Sequence, residues 1–133
     1  MRIALRLAAV TAALGVLTAC DDVLLGYDGS FTGNCDRDPP LTYDNYGKAY
    51  LGKWCTGCHS SLVRENQRSG APLDVNFDTY QDIMAQVKEI DETAVQTDYM
   101  PPGGGASEAE SDALGEWLRC QVYTDAQNQE GGT

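Results

Sequence analysis

Two thiols and one imidazole stand close together in the segment Cys55-Thr56-Gly57-Cys58-His59. The pattern C-x-x-C-H is typical of covalent haem c attachment. At the end of a helix it places two thiols where they can add to the two vinyl groups of one haem, with the imidazole below the iron. Because His59 is the only histidine of the 133 residues, its position is specific. The segment therefore predicts one covalent haem c, with Cys55 and Cys58 as attachment residues and His59 as proximal ligand.

Two other kinds of site share part of this motif. A structural zinc site needs four ligands, and beyond Cys55, Cys58 and His59 the chain offers only distant cysteines. A thioredoxin-like C-x-x-C needs a strand before it and a parallel sheet around it. The sequence shows no convincing strand pattern. A zinc site and a haem-free thiol–disulfide oxidoreductase stay open as alternatives.

The second axial ligand of the iron can be argued by elimination. No second histidine exists, and Met1 belongs to an apparent targeting segment, which leaves Met84 and Met100 as thioethers. Met84 falls on the apolar face of a predicted helix, where methionine fills the core. Met100 precedes two prolines, which stiffen the chain, and three glycines that allow a sharp return. The sequence predicts Met100 as the second ligand. The alternatives are a gap-filling Met100 or a lysine ligand: Lys48, Lys53 or Lys88.

Three amphipathic helices are predicted to position these residues. The first runs from about Asp44 to Cys58, with Thr42 or Asp44 as its cap, and the second from about 78 to 90. The third starts at Ser107, which forms a capping box with Glu110, and ends near residue 123. Residues 60–77 read as a loop. We therefore expect an all-α domain with about three core helices around the haem.

Cys35 and Cys120 lie far apart in the sequence. In a chain exported to an oxidising compartment, such leftover thiols tend to pair. Their bridge would close a loop of about 85 residues, which the chain-entropy model values at about 4–5 kcal/mol. The sequence predicts this disulfide, with a free thiol at either position as the alternative.

The beginning of the chain reads as a targeting segment. Arg2 and Arg6 give a positive start, and residues 7–17 form an apolar run too short to span a bilayer. The run ends in Leu-Thr-Ala-Cys20, which resembles a bacterial lipoprotein signal. We expect residues 1–19 to be removed and Cys20 to be lipidated, an ordinary signal peptide being the alternative. This predicts a lipid-anchored protein on a periplasm-facing membrane surface of a bacterial cell envelope, on either membrane.

The composition of residues 20–133 indicates three regions, and their net charge indicates the kind of partner. Residues 20–34 predict a flexible tether of about 20 Å mean span, residues 35–123 the folded domain, and residues 124–133 a disordered tail. Without Arg2 and Arg6, seven basic residues stand against twenty acidic ones, a net charge of −13. Such a chain repels nucleic-acid phosphate. It should attract redox partner proteins with basic docking surfaces.

Over residues 40–122 the chain resembles a class I c-type cytochrome, and more narrowly a short single-haem cytochrome lipoprotein. The resemblance is carried by TYDNYGKAYLGKWCTGCHS, GAPLDVNFDTY and MPPGG. In that family a first helix leads into the haem motif, a later loop donates an axial methionine, and a C-terminal helix crosses the first. The resemblance implies that Gly47 and Trp117 meet at this crossing. It also implies that the loop around Pro72 accepts the N–H of His59.

With His59 and Met100 both bound, the iron would have no open coordination site, which suits electron transfer. The expected protein is an electron carrier and not an enzyme, acting as a monomer or as a subunit of a redox complex. A haem sensor or small haem enzyme, in which Met100 is displaced, is the alternative. For Arg64 and Arg68 a solvated loop position is the commoner expectation, and pairing with haem propionates the other.

Overall fold

The computed structural model describes residues 34–131, and all regular elements in this range are helical. This confirms the all-α prediction for the described residues. Five α-helices are present: α1 (Lys48–Trp54), α2 (Tyr80–Ala85), α3 (Val87–Asp91), α4 (Glu108–Trp117) and α5 (Thr124–Glu130). Shorter segments join them: π-helical turns at Tyr43–Gly47, Glu92–Gln96 and Leu118–Tyr123, and a 3-10 turn at Glu65–Gln67.

Several expectations concern residues outside this range. The signal peptide 1–19, lipidation at Cys20 and nearly all of the tether 20–34 lie outside the described residues. Within residues 34–131 we find no helix with the length and apolar character that a membrane crossing requires.

The first predicted helix is capped by Thr42 and is shorter than expected. Thr42 Oγ1 accepts the Asn45 N–H at 3.2 Å, and the Asn45 side chain accepts the Thr42 N–H at 2.7 Å. The π-helical turn then leads into α1, which ends at Trp54 rather than at Cys58. It ends there because the Leu51 carbonyl accepts the N–H groups of both residue 55 and residue 56, which interrupts the regular hydrogen-bond ladder.

The second predicted helix is divided into α2 and α3 by Gln86. This residue has φ −126° and ψ 18°, outside helical geometry. Thr79 caps α2 through a reciprocal pair of hydrogen bonds with Asp82. Both halves still turn their apolar side chains inward, and Met84 is buried in the core as predicted.

The third predicted helix begins as expected and ends later. Ser107 Oγ accepts the Glu110 N–H, and the Glu110 carboxylate accepts the Ser107 N–H at 3.0 Å, which confirms the capping box. The helical path then continues through Leu118–Tyr123 into α5. The prediction of a disordered tail is therefore wrong for residues 124–130.

Contacts with α2 explain why α5 is ordered. Tyr80 donates its hydroxyl proton to Asp125 at 2.7 Å, and the Gln129 amide lies 3.6 Å from the Met84 sulfur. Ala126 packs against the core. These are mostly polar, long-range contacts, so the segment shows no apolar period in its sequence.

The core lies where the first helix meets α4. Trp117 is fully buried, and its indole lies so close to Gly47 that no Cβ would fit there. The family resemblance implied this contact between Gly47 and Trp117. The side-chain oxygen of Gln121 accepts the Trp117 Nε1–H and the Tyr43 N–H, each at 2.8 Å. Other fully or nearly fully buried core residues are Tyr50, Leu51, Ile83, Val87, Ile90, Leu114, Leu118 and Val122.

A disulfide joins Cys35 to Cys120, with the two Cα atoms 5.6 Å apart, and confirms the predicted pairing. Beside it, Arg37 donates two hydrogen bonds to the Glu116 carboxylate at 2.6 and 2.7 Å. Together these contacts fasten the segment that precedes the first helix to α4 and the turn that follows it.

Candidate functional site

The two cysteines and the histidine of the motif lie in one turn directly after α1. The N–H groups of Cys58 and His59 donate to the Cys55 carbonyl at 3.1 and 2.9 Å. Both cysteines carry free thiols and are partly buried. Burial raises the pKa of the Cys55 thiol to about 12, which keeps it protonated and neutral. The turn therefore presents two unpaired thiols beside one imidazole.

The imidazole of His59 is held by two residues of the following loop. Its Nδ1 lies 3.2 Å from the Val75 carbonyl oxygen, and its ring stacks on Phe77 with centroids 4.9 Å apart. The Phe77 N–H donates to the His59 carbonyl at 3.0 Å. Because a carbonyl oxygen can only accept, Nδ1 carries a proton, and in the neutral imidazole Nε2 is then the nitrogen with the lone pair. His59 is thus prepared to act as a ligand through Nε2.

The acceptor of the imidazole N–H lies in the expected loop, three residues after Pro72. The Pro72 carbonyl instead accepts the Arg68 Nη2–H at 2.6 Å and the Val75 N–H at 3.3 Å. A carbonyl of this loop therefore accepts the His59 N–H as the resemblance implied, and the carbonyl is that of Val75.

Arg68 is buried, with 1% of its surface exposed, and does not lie on a solvated loop face. All five guanidinium N–H groups are engaged in hydrogen bonds, so none is left for a haem propionate. The expected solvated loop position is therefore wrong for Arg68, whereas Arg64 is exposed as expected. The acceptors are the carbonyl oxygens of Ser60, Ala71, Pro72 and Val75 and the side-chain oxygen of Asn76.

Met100 is partly buried against the hydrophobic core, and its N–H donates to the Thr93 carbonyl at 2.8 Å. The chain after it turns back through Gly103 and Gly104, whose φ angles of 85° and 78° suit glycine. An open cavity of about 500 Å³ borders Met100. The remaining residues around it are mainly small or acidic: Val95, Asp98, Pro101, Gly104, Gly105, Ala106, Glu108, Ser111 and Asp112.

The Met100 loop reaches the C-x-x-C-H segment through Gly105 and Trp54. A Cβ on Gly105 would fall 2.5 Å from Trp54 Cζ3, so the glycine lies directly on the indole. Trp54 immediately precedes Cys55. The structure thus places the loop that carries Met100 against the end of the helix that precedes the two thiols.

Two buried donors of α1 have no hydrogen-bond partner among the described residues. They are the Tyr50 hydroxyl and the Trp54 Nε1–H, which lie one helical turn apart. Burial raises the pKa of Tyr50 to about 12, so its hydroxyl keeps its proton. A buried donor without a partner costs about 1–3 kcal/mol. An acceptor-bearing group bound beside α1 would remove this penalty.

Sequence reasoning identified the thiols, the imidazole and the thioether but not the residues that hold them. Val75, Phe77 and Arg68 lie in a loop without periodicity. The signal available was chemical: an imidazole with one nitrogen on iron needs an acceptor for the other, and a buried arginine needs carbonyl oxygens.

Within residues 34–131, no three histidine, cysteine or acidic side chains converge as a metal-binding group. Comparisons with protein-family models, with curated proteins and with solved structures find no match to this chain.

Proposed function

We propose that this protein is an electron carrier with one haem c, attached through Cys55 and Cys58 and ligated by His59 and Met100. The observation that supports this most is the hydrogen bond from His59 Nδ1–H to the Val75 carbonyl. Of the two neutral tautomers it selects the one with the proton on Nδ1, which leaves Nε2 as the nitrogen that would bind iron. A cytochrome c-like fold belongs to the same proposal.

The residues of the site fit this group in three respects. Two free thiols follow α1 with the imidazole beside them. The Met100 loop packs on Trp54, next to the first thiol. Tyr50 and Trp54 supply buried donors that have no partner within residues 34–131, and a haem carries carboxylate acceptors. A dithiol oxidoreductase fits less well, because its reactive thiol needs a lowered pKa and burial raises that of Cys55.

When bound, the haem supplies reversible one-electron chemistry. The residues of the chain would determine how the haem is attached, how it is ligated and what its reduction potential is. Cys55 and Cys58 would hold the haem as thioethers: each S–H would add across one vinyl group, with the sulfur bonded to one carbon and the hydrogen to the other. The Val75 carbonyl and the Phe77 ring hold His59 in one orientation, in which it would ligate the iron. The Met100 thioether favours the ferrous state and raises the potential.

The proposed setting follows from sequence features. Cys20 carries the lipid anchor, which places the domain at a periplasm-facing membrane surface of a bacterium. The acidic charge favours docking to redox partners with basic surfaces and disfavours nucleic acid. The protein acts alone or as one subunit of a redox complex.

The cavity beside Met100 favours a second candidate function, a haem sensor or small haem enzyme in which a small ligand displaces the thioether. The ferric absorbance spectrum separates the two. A low-spin species with a weak far-red methionine–iron band, unchanged by added imidazole, supports the carrier. A high-spin species, or rapid loss of that band with imidazole, supports the sensor.

Substitution of the two methionines tests the ligation directly. Met100→Ala should abolish the far-red band and lower the midpoint potential, because the thioether is lost. Met84→Leu is the matched control, since Met84 is a core residue and the exchange conserves volume. If Met100→Ala keeps the band and Met84→Leu loses it, the proposed ligand is wrong.

A further inference from the structure

Arg68 is a buried cation on the proximal side of the site, and the acceptors around it are neutral oxygens. Its guanidinium is fully saturated by four carbonyl oxygens and one side-chain amide oxygen. The outermost of these acceptors in the sequence are the Ser60 carbonyl and the Asn76 side chain, so Arg68 joins the two ends of the segment 60–76. The arginine therefore defines the shape of the loop that follows His59.

The contact that matters for function is a shared oxygen. The Val75 carbonyl accepts the Arg68 Nη2–H at 2.8 Å and faces His59 Nδ1 at 3.2 Å. A carbonyl oxygen has two lone pairs, so both bonds can form at once. The bond from the guanidinium is charge-assisted and is the stronger of the two.

Resting on the proposed haem ligation, we infer that Arg68 is a positioning residue that raises the reduction potential through the Val75 carbonyl. The guanidinium draws electron density from the oxygen and weakens it as an acceptor for the His59 N–H. The imidazole then keeps its proton more firmly and donates less strongly to the iron. A weaker donor stabilises ferric iron less, which favours the ferrous state.

The charge of Arg68 acts in the same direction. A buried positive charge interacts more strongly than one in water, because the surrounding dielectric is low. It opposes the additional positive charge of ferric iron. Both effects predict that loss of the guanidinium lowers the potential, whereas a merely structural role predicts no particular direction.

The test compares three variants of the exported, haem-loaded protein. Arg68→Met removes both the charge and the hydrogen-bond donors. Arg68→Lys keeps the charge but loses the planar set of five guanidinium donors. Arg64→Met is the matched control at an exposed position of the same loop. Midpoint potentials are measured by redox titration. The resonance of the His59 Nδ1–H is measured by NMR in the ferrous protein.

We expect Arg68→Met to shift the ferric–ferrous equilibrium about tenfold toward ferric, or about 59 mV for one electron. The Nδ1–H resonance should move downfield as its hydrogen bond strengthens, and Arg68→Lys should lie between. Arg64→Met should change neither quantity. If Arg68→Met does not fold, the Arg68→Lys shift decides.

Unchanged potentials and an unchanged resonance in folded, haem-loaded variants would overturn the role of Arg68 and leave the carrier proposal intact. A wild-type protein without haem would overturn the carrier proposal itself and this inference with it.

Discussion

Gly47 and Trp117 approach so closely that a Cβ on Gly47 would fall 2.3 Å from Cζ2 of the indole. The tryptophan is fully buried, and its Nε1–H is held by Gln121. The first helix and α4 therefore cross at a point where only a residue without a side chain fits. This crossing fixes the direction in which the first helix delivers Cys55 and His59 to the site.

Gly47→Ala should destabilise the fold by about 1–3 kcal/mol, because the indole must move to accept the methyl group. Gly52→Ala is the matched control in the same helix, since a Cβ there meets nothing within 4 Å. It should stabilise the fold by up to about 1 kcal/mol through helix propensity. Urea unfolding of both variants gives the two free energies. Equal effects would show that the close contact is absent.

The contribution of Glu110 to the unfolding free energy should depend on pH. Its hydrogen bond to Lys53 and those with Ser107 lower its pKa from 4.5 to about 2. A lowered pKa in the folded state means that the contribution is complete above the ordinary value of 4.5 and is lost as pH falls through about 2.

The measurement is the unfolding free energy of wild type and Glu110→Gln across this pH range. The difference between them should be greatest near neutral pH and shrink toward pH 2. Asp112→Asn, at an exposed position of the same helix, is the control. A difference that stays constant with pH would contradict the assigned role of the carboxylate.

The Cys35–Cys120 disulfide should contribute substantially to stability, because it spans 85 residues. Replacement of both cysteines by serine should lower the unfolding free energy by about 2–5 kcal/mol, mainly by freeing the unfolded chain. Unfolding in urea, with and without reductant, measures this. Reductant should destabilise wild type and leave the double variant unchanged. The same reductant response in both proteins would mean that the bond is not formed.

The ordered α5 depends on its contact with α2. Tyr80→Phe removes the hydroxyl that donates to Asp125 and should lower stability by about 0.5–1.5 kcal/mol. Amide hydrogen exchange in residues 124–130 should become faster. Tyr99→Phe, at a position 70% exposed, is the control and should change neither quantity. Fast exchange in this segment of wild type would contradict its helical order.

The parts of the fold that could be predicted are those determined by short sequence patterns, such as helix caps. Capping chemistry located the starts near Thr42 and Ser107, because a cap depends on residues three positions apart. The break at Gln86 is marked by no glycine or proline in the sequence, and the order of α5 depends on contacts with the distant α2, so no local pattern predicts either.

The site divides in the same way. The chemical groups, Cys55, Cys58 and His59, are adjacent in sequence and could be identified from their types and spacing. Their supports could not, since Val75 contributes only its backbone carbonyl, which every residue possesses. Arg68 was misplaced because an arginine in a polar loop is usually exposed, and here five acceptors converge on it.

Covalent attachment of haem to Cys55 and Cys58 can be measured by intact-mass spectrometry of the purified exported protein. We predict the mass of the lipidated mature chain plus one haem; the haem should survive denaturation and acidic acetone and be lost in Cys55→Ser/Cys58→Ser. A mass equal to the chain and its lipid alone, under conditions in which another c-type cytochrome is matured, would contradict the account.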